Sequence, residues 1–107
     1  MSFAWLFSWW RRRPRLDHVA VVMYTRRGCH LCEEAWDFLQ AERRRRRFAL
    51  SAVDVDGDPE LVKAHGECVP VVAVNGRVRF RGRINRALWE RLMRAEEAAA
   101  RRGAAGP

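Results

Sequence analysis

Two cysteines separated by two residues, in Cys29-His30-Leu31-Cys32, are the side chains best suited to chemistry in this 107-residue chain. Such thiols close into a disulfide when the backbone presents them together, and one helical turn does so. Residues i and i+3 share a face, with Cα atoms about 5 Å apart, within the window that disulfide geometry accepts. The pair can then pass between dithiol and disulfide without a change of fold. The thiolate is the attacking species, so what matters next is which sulfur ionises more easily.

The flanking residues answer that. Val19 to Tyr24 is an apolar, β-branched run, as in a strand buried on both faces. Thr25-Arg26-Arg27-Gly28 reads as a polar turn, and Leu31, Ala35, Trp36, Phe38 and Leu39 recur at helical spacing. Strand, turn, helix is the local order. Cys29 then falls at the helix start, where unpaired N–H groups and the macrodipole favour negative charge. Its pKa is expected to be lowered into the range of about 3.5–7.5 that C-x-x-C thiols span. Arg26 and Arg27 push the same way, so Cys29 is the expected nucleophile. Cys32, one turn inside, is expected to be more buried and to resolve a mixed disulfide. His30 has two readings: a cation that stabilises the Cys29 thiolate and makes the couple a better oxidant, or an exposed neutral turn residue.

The elements that must hold this motif follow from the rest of the chain. Length and a 49% hydrophobic composition fit one folded domain. The cysteine helix is expected to end in Arg43 to Arg47, arginines that suit the negative end of a helix and read as a solvated terminus. Phe48 to Val55 is a second strand. Asp58 caps a short helix with Pro59 at its first position, running to His65 and stopping at Gly66. Val69 to Val74 is a third strand, Asn75-Gly76 a hairpin turn, and Arg77 to Arg81 the returning strand, with Val78 and Phe80 on one face. Ile84, Leu88, Leu92 and Ala95, with Trp89 alongside, mark a closing amphipathic helix. The order is β-α-β-α-β-β-α. Residues 1–17 form an aromatic, Arg-rich extension, residues 18–97 the domain, and residues 98–107 a flexible Ala/Gly/Arg tail.

These pieces together resemble the thioredoxin fold, and within it the glutaredoxin-like proteins. Tyr24-Thr25-Arg26-x-x-Cys29-x-x-Cys32 is similar to the glutaredoxin active-site segment, with Arg26 where that family usually has lysine. Val53-Asp54-Val55-Asp56 and Asp58-Pro59-Glu60 resemble its second strand and following turn. Cys68-Val69-Pro70 stands where the family has Thr-Val-Pro, and Phe80-Arg81-Gly82 resembles the end of its hairpin. The resemblance covers about Val19 to Met93. It implies an α/β fold with a four-stranded mixed central sheet flanked by helices, and a cis Pro70 beside the cysteines. It also implies that the Val69 backbone takes the substrate as an added strand, with Arg26, Pro70 and Gly82 completing the substrate site.

The departures from that family carry expectations of their own. Gly82-Arg83-Ile84-Asn85-Arg86 keeps one glycine of a usual pair and has arginine where an acid is expected, so the usual grip on the ammonium end of glutathione is missing. Met23 stands where thioredoxins carry a buried aspartate, which removes a thioredoxin-style proton acceptor. Cys68 reads first as a small residue filling the threonine position; the alternatives are a second disulfide, a metal ligand or an oxidation sensor. Metal and iron–sulfur sites as a rule take four ligands. Cys29, Cys32 and Cys68 could be joined by His30 or His65, but no second close-spaced pair is present, and no metal is expected within one chain.

Charge and the N-terminus bear on partners. The net charge of +8 invites nucleic-acid binding, but the arginines are spread along the chain and Lys63 is the only lysine among 21 basic residues, so weak attraction to acidic partners is expected and no specific nucleic acid. Three cysteines are no secreted framework, Arg11 to Arg13 follow the apolar run instead of preceding it as in a secretory signal, and no stretch reaches the ~20 apolar residues of a membrane span. A cytoplasmic protein is expected, with a peripheral membrane location as an option. Phe3, Leu6, Phe7 and Trp10 would share one helical face, so residues 3–13 read as an interfacial anchor, a protein contact, or a segment folded back on the domain or disordered; the scarcity of polar residues tips the balance to the last. The expected function is a small thiol-disulfide oxidoreductase acting on a protein or small-molecule disulfide. It needs no bound cofactor, and glutathione or another thiol would be the reductant. The alternative is a binding module or a metal or iron–sulfur carrier, including a cluster shared between two chains.

Overall fold

The β-branched run after Leu16 forms the strand on which everything else is built. In the computed structural model, which describes residues 15–105, the order is β1 (Ala20–Thr25), α1 (His30–Arg46), β2 (Ala49–Asp54), a 3-10 turn (Val55–Gly57), α2 (Pro59–His65), β3 (Val71–Val74), β4 (Arg77–Arg81) and α3 (Arg86–Ala105). The strands lie in the order β2-β1-β3-β4. β1 runs parallel to β2, from Ala20↔Ala49 to Thr25↔Asp54, and antiparallel to β3, from Val21↔Val74 to Tyr24↔Val71. A parallel neighbour needs a crossover, and α1 supplies it. This is the four-stranded mixed α/β sheet with helices expected for the thioredoxin fold.

Local chemistry sets the joints. The Asp58 carboxylate accepts from the Glu60 N–H at 2.9 Å ahead of Pro59. Asn75 (φ 52°) and Gly76 (φ 80°) turn the β3–β4 hairpin, and Asn75 Oδ1 accepts from the Ala20 N–H at 2.8 Å, tying that turn to β1.

The two faces of the sheet are covered unequally. Val21, Met23, Val72, Val74 and Phe80 pack with Cys32, Ala35 and Leu39 of α1 and with Trp89 and Met93 of α3 in one core. On the other face Tyr24 meets the His65 ring of α2 at 4.6 Å. Since α2 has seven residues, it covers less: Ala20 is exposed and Val22 half-buried, so β1 is not buried on both faces as its apolar run led us to expect. Val78 and Phe80 do not share a face either. A bulge puts Phe80 opposite Val72 and Val78 opposite Ala73, neighbours that point to opposite sides.

The buried stripe of α1 is Cys32, Ala35, Leu39, Glu42 and Arg46, spaced three and four as a core-facing helix requires. Its last two members are charged. Arg46, 2% exposed, is therefore no part of a solvated terminus, unlike the exposed Arg43, Arg44 and Arg45. Its guanidinium bonds Glu42 Oε1 at 2.9 Å and Glu90 at 3.1 and 2.7 Å, with Glu97 at 3.6 Å. Glu42 also accepts from Trp89 Nε1 at 2.7 Å. This network joins α1 to α3, around a Trp89 ring that meets Phe38, Phe48 and Phe80 at 5.8, 5.6 and 6.2 Å.

That indole also decides which side of α3 is inside. The buried line is Trp89, Met93 and Glu97; of the expected residues Ile84 and Leu92 pack against the core, half-buried, while Leu88 is 49% exposed and Ala95 is exposed, so the centre of the inner face lies one residue round from the expected one. The helix continues through Ala98 to Ala105, where a flexible tail was expected; alanine is the best helix former, and Ala100 packs on the core. At the other end Leu16 is fully buried, so the core starts inside the expected extension of residues 1–17, of which residues 1–14 lie outside the described residues.

Replacing Arg46 by methionine removes the buried cation that Glu42, Glu90 and Glu97 share and is expected to cost about 3 kcal/mol, the low end for removing one partner of a buried pair, measured by urea unfolding at pH 7. A pH dependence follows from Glu90, whose carboxyl is lowered from 4.5 to about 2, chiefly by its hydrogen bond from Arg46. A carboxyl depressed in the folded state adds stability that is full above its unfolded pKa and is lost as pH falls towards the folded value. The melting temperature of the wild type is expected to drop between about pH 4.5 and pH 2, and that of Arg46→Met to fall less steeply over the same window.

Candidate active site

The turn after β1 needs one left-handed residue, and Gly28 provides it at φ +72°. It turns the chain so that Cys29 becomes the N-cap of α1, with extended φ −96° and ψ 108°. A cap side chain normally accepts from an N–H of the first turn. Here the acceptor is sulfur: Cys29 Sγ takes the Cys32 N–H at 3.1 Å. Cys29 and Cys32 form a disulfide with Cα atoms 5.1 Å apart. Cys32 is 2% exposed and belongs to the core, while Cys29 is half-buried at its edge. One sulfur is thus reachable, held against backbone N–H, and the other lies behind it.

Arg26 and Arg27 differ in what they do. The Arg26 guanidinium bonds both carboxylate oxygens of Asp56, at 2.8 to 3.2 Å, and the Gly66 carbonyl at 3.0 Å. It ties the end of β1 to the 3-10 turn and the end of α2, and its hydrogen bond holds the Asp56 carboxyl below the usual carboxylate range. Arg27 is exposed. Both line a cavity of about 410 Å³ with Thr25, Gly28, Cys29, Cys32 and Glu33, where Met23, Trp36 and Ala52 supply apolar walls. The aspartate position of thioredoxins is therefore a buried thioether beside Cys32. His30 is turned out, its side chain 94% exposed and Nδ1 3.6 Å from Glu33, which is the geometry of the exposed turn residue.

Val69-Pro70 is a cis peptide, as the resemblance implied. Gly82, at φ +80°, gives its N–H to the Cys68 and Pro70 carbonyls at 3.0 and 2.8 Å, so it holds the Pro70 loop in place. Val69 and Cys29 both pack against the hydrophobic core to which Cys32 belongs. Gly82 also lines a smaller depression of about 120 Å³ with Leu31, Glu34, Phe38, Arg83, Ile84 and Arg86. The turn that carries the cysteines thus has a cavity on one flank and a cleft on the other. Cys68 is a free, exposed thiol. Among the described residues no three His, Cys, Asp or Glu side chains gather into a metal-binding group.

Sequence reasoning missed Asp56 as the partner of Arg26. The signal was present in Asp54-x-Asp56 at the end of a strand parallel to β1, since parallel strands bring their ends together. It also missed Trp36 and Ala52 as cavity walls, which need the register of β2 to be seen.

Comparison with known proteins fits this geometry. The solution NMR structure of protein Ne2328 from Nitrosomonas europaea is similar, with a TM-score of 0.62 at 25% identity, over 69% of this chain and 89% of that one. No curated protein matches the chain. The sequence model of the glutaredoxin-like domain (DUF836) matches residues 20–93, from the first residue of β1 through Met93 of α3 and with the cysteine turn inside it, so the chain belongs to the glutaredoxin-like domain family.

Proposed function

We propose that this protein is a small thiol-disulfide oxidoreductase in which Cys29 is the nucleophile and Cys32 the resolving thiol. The observation that carries this reading is the Cys29–Cys32 disulfide at the start of α1, with Cys29 Sγ accepting the Cys32 N–H. The same N–H and the helix macrodipole stabilise a thiolate on Cys29 once the bond is reduced, and Arg27 beside it adds positive charge.

The Cys29 thiolate attacks one sulfur of a substrate disulfide, forms a mixed disulfide and expels the other substrate sulfur as a thiolate. Cys32 then gives up its proton and attacks Cys29 Sγ, closing the Cys29–Cys32 disulfide and releasing the second substrate sulfur. The substrate gains two electrons and becomes two thiols, one proton coming from Cys32 and the other from solvent; the cysteine pair is oxidised by the same two electrons. A second thiol compound, glutathione or another reductant, reopens the internal disulfide by the same exchange in reverse. No bound cofactor takes part. The Val69 backbone next to Pro70 and the exposed Arg27 of the cysteine turn receive the substrate, a protein or small disulfide, with Arg26 holding the turn in place through Asp56, and the exposed free Cys68 fits a reducing, cytoplasmic setting.

Incubated with a disulfide substrate, Cys32→Ser is expected to accumulate a covalent adduct through Cys29, visible by mass spectrometry and released by dithiothreitol. Cys29→Ser is expected to form none, with its reductase rate at background. A Cys32→Ser protein that neither turns over nor traps substrate would favour the adaptor reading instead.

A further inference from the structure

The far end of α1 carries a second feature that thiol exchange does not use. Arg15, Arg43, Arg44 and Arg47 line a groove of about 350 Å³ with Phe48, and no acidic side chain is among the described residues that line it. Asp17 lies 3.4 Å from Arg15 and partly offsets its charge, while Glu42 is turned towards Arg46 and Trp89, with Arg45 at its edge; Arg43 and Arg44 are exposed. Immediately upstream of Arg15 the chain reads Arg11-Arg12-Arg13-Pro14, and before that come ten residues without a charged side chain, among them Phe3, Trp5, Leu6, Phe7, Trp9 and Trp10.

We infer that this end of the molecule is a docking surface for an anionic lipid bilayer. Binding to a bilayer surface strengthens with buried apolar area and with electrostatic attraction to anionic lipids. Here the apolar segment and the basic patch are contiguous in the chain, because the groove begins at the residue where the arginine run ends. Tryptophan and phenylalanine suit the bilayer interface, and guanidinium groups suit lipid phosphates. A single-stranded nucleic acid would use the arginines and could stack on aromatic rings, but it gives no role to an uncharged run that also holds Leu6. Orientation follows from α1: its 17 residues span about 25 Å at 1.5 Å each, so the groove and the Cys29–Cys32 disulfide lie at opposite ends. A molecule docked by the groove therefore leaves the disulfide at its other end, away from the contact. None of the described helices is long and apolar enough to cross a membrane.

The test is partition of the full chain onto sedimented vesicles of phosphatidylglycerol and phosphatidylcholine, against pure phosphatidylcholine, at 0.15 M salt. The inference expects binding to the anionic vesicles that weakens as salt is raised. It expects a loss of about 25-fold for Arg43→Gln/Arg44→Gln, about fivefold for each arginine near an anionic surface. Both side chains are exposed, so the melting temperature and reductase rate of the variant should match the wild type. Equal binding to the two vesicle types, an unchanged partition for the double variant, or stripping of the protein from the vesicles by an equal phosphate concentration of single-stranded oligonucleotide would each overturn it.

Discussion

A sulfur atom in the place of a capping oxygen is the constraint from which the rest of this molecule can be read. The first N–H groups of a helix have no partner within it, and most helices meet that need with serine, threonine or aspartate. Here Cys29 Sγ accepts the Cys32 N–H. That contact ties the reactivity of one cysteine to the backbone of the other, and both to the angle at which α1 leaves β1. Gly28 at φ +72° and the bidentate Arg26–Asp56 pair fix that angle from opposite sides of the turn.

Such a joint is useful only if α1 does not move relative to the sheet, and the far half of the helix shows how that is arranged. Arg46 and Glu42 occupy core positions and reach Glu90, Glu97 and the Trp89 indole of α3. Removing charge from water is costly, and pairing offsets that cost; the two terminal nitrogens of Arg46 are hydrogen-bonded, while its Nε faces Glu97 at 3.6 Å without a hydrogen bond. A shared network of this kind therefore favours one placement of α1 against α3 over neighbouring ones. The cysteine end stays open by contrast, flanked by the apolar-walled cavity beside Cys32 and the shallow cleft beside Leu31. Rigidity at one end and access at the other suit a thiol exchanger whose substrates differ in shape.

Much of this was legible in the residues, for physical reasons that can be named. The strand, turn and helix around Cys29 announce themselves through a β-branched run, a glycine and a 3.6-residue apolar period. Asp58-Pro59 and Asn75-Gly76 set local geometry with little help from the rest of the fold, and cis Pro70 came from the family likeness, since proline spacing alone does not reveal it. What escaped was tertiary. Arg46 is one of five consecutive arginines, and nothing local tells which of them finds three glutamates waiting. The inner face of α3 follows the bulk and N–H of Trp89, the bulge near Arg79 follows the pairing of β4 with β3, and the bond of Arg26 to Asp56 depends on two parallel strands ending together.

The central claim is that the place of Cys29 at the helix start makes it the reactive thiol of this chain. Cys68, free and exposed but at no helix start, is a control within the same molecule. The most direct measurement is the rate of iodoacetamide alkylation of each cysteine in the fully reduced protein between pH 5 and 9, located by peptide mass. The account predicts that Cys29 reacts before Cys68 at pH 6, with its half-maximal rate below about pH 7.5, inside the C-x-x-C range. A Cys29 that reacts no faster than Cys68 across that range would contradict it.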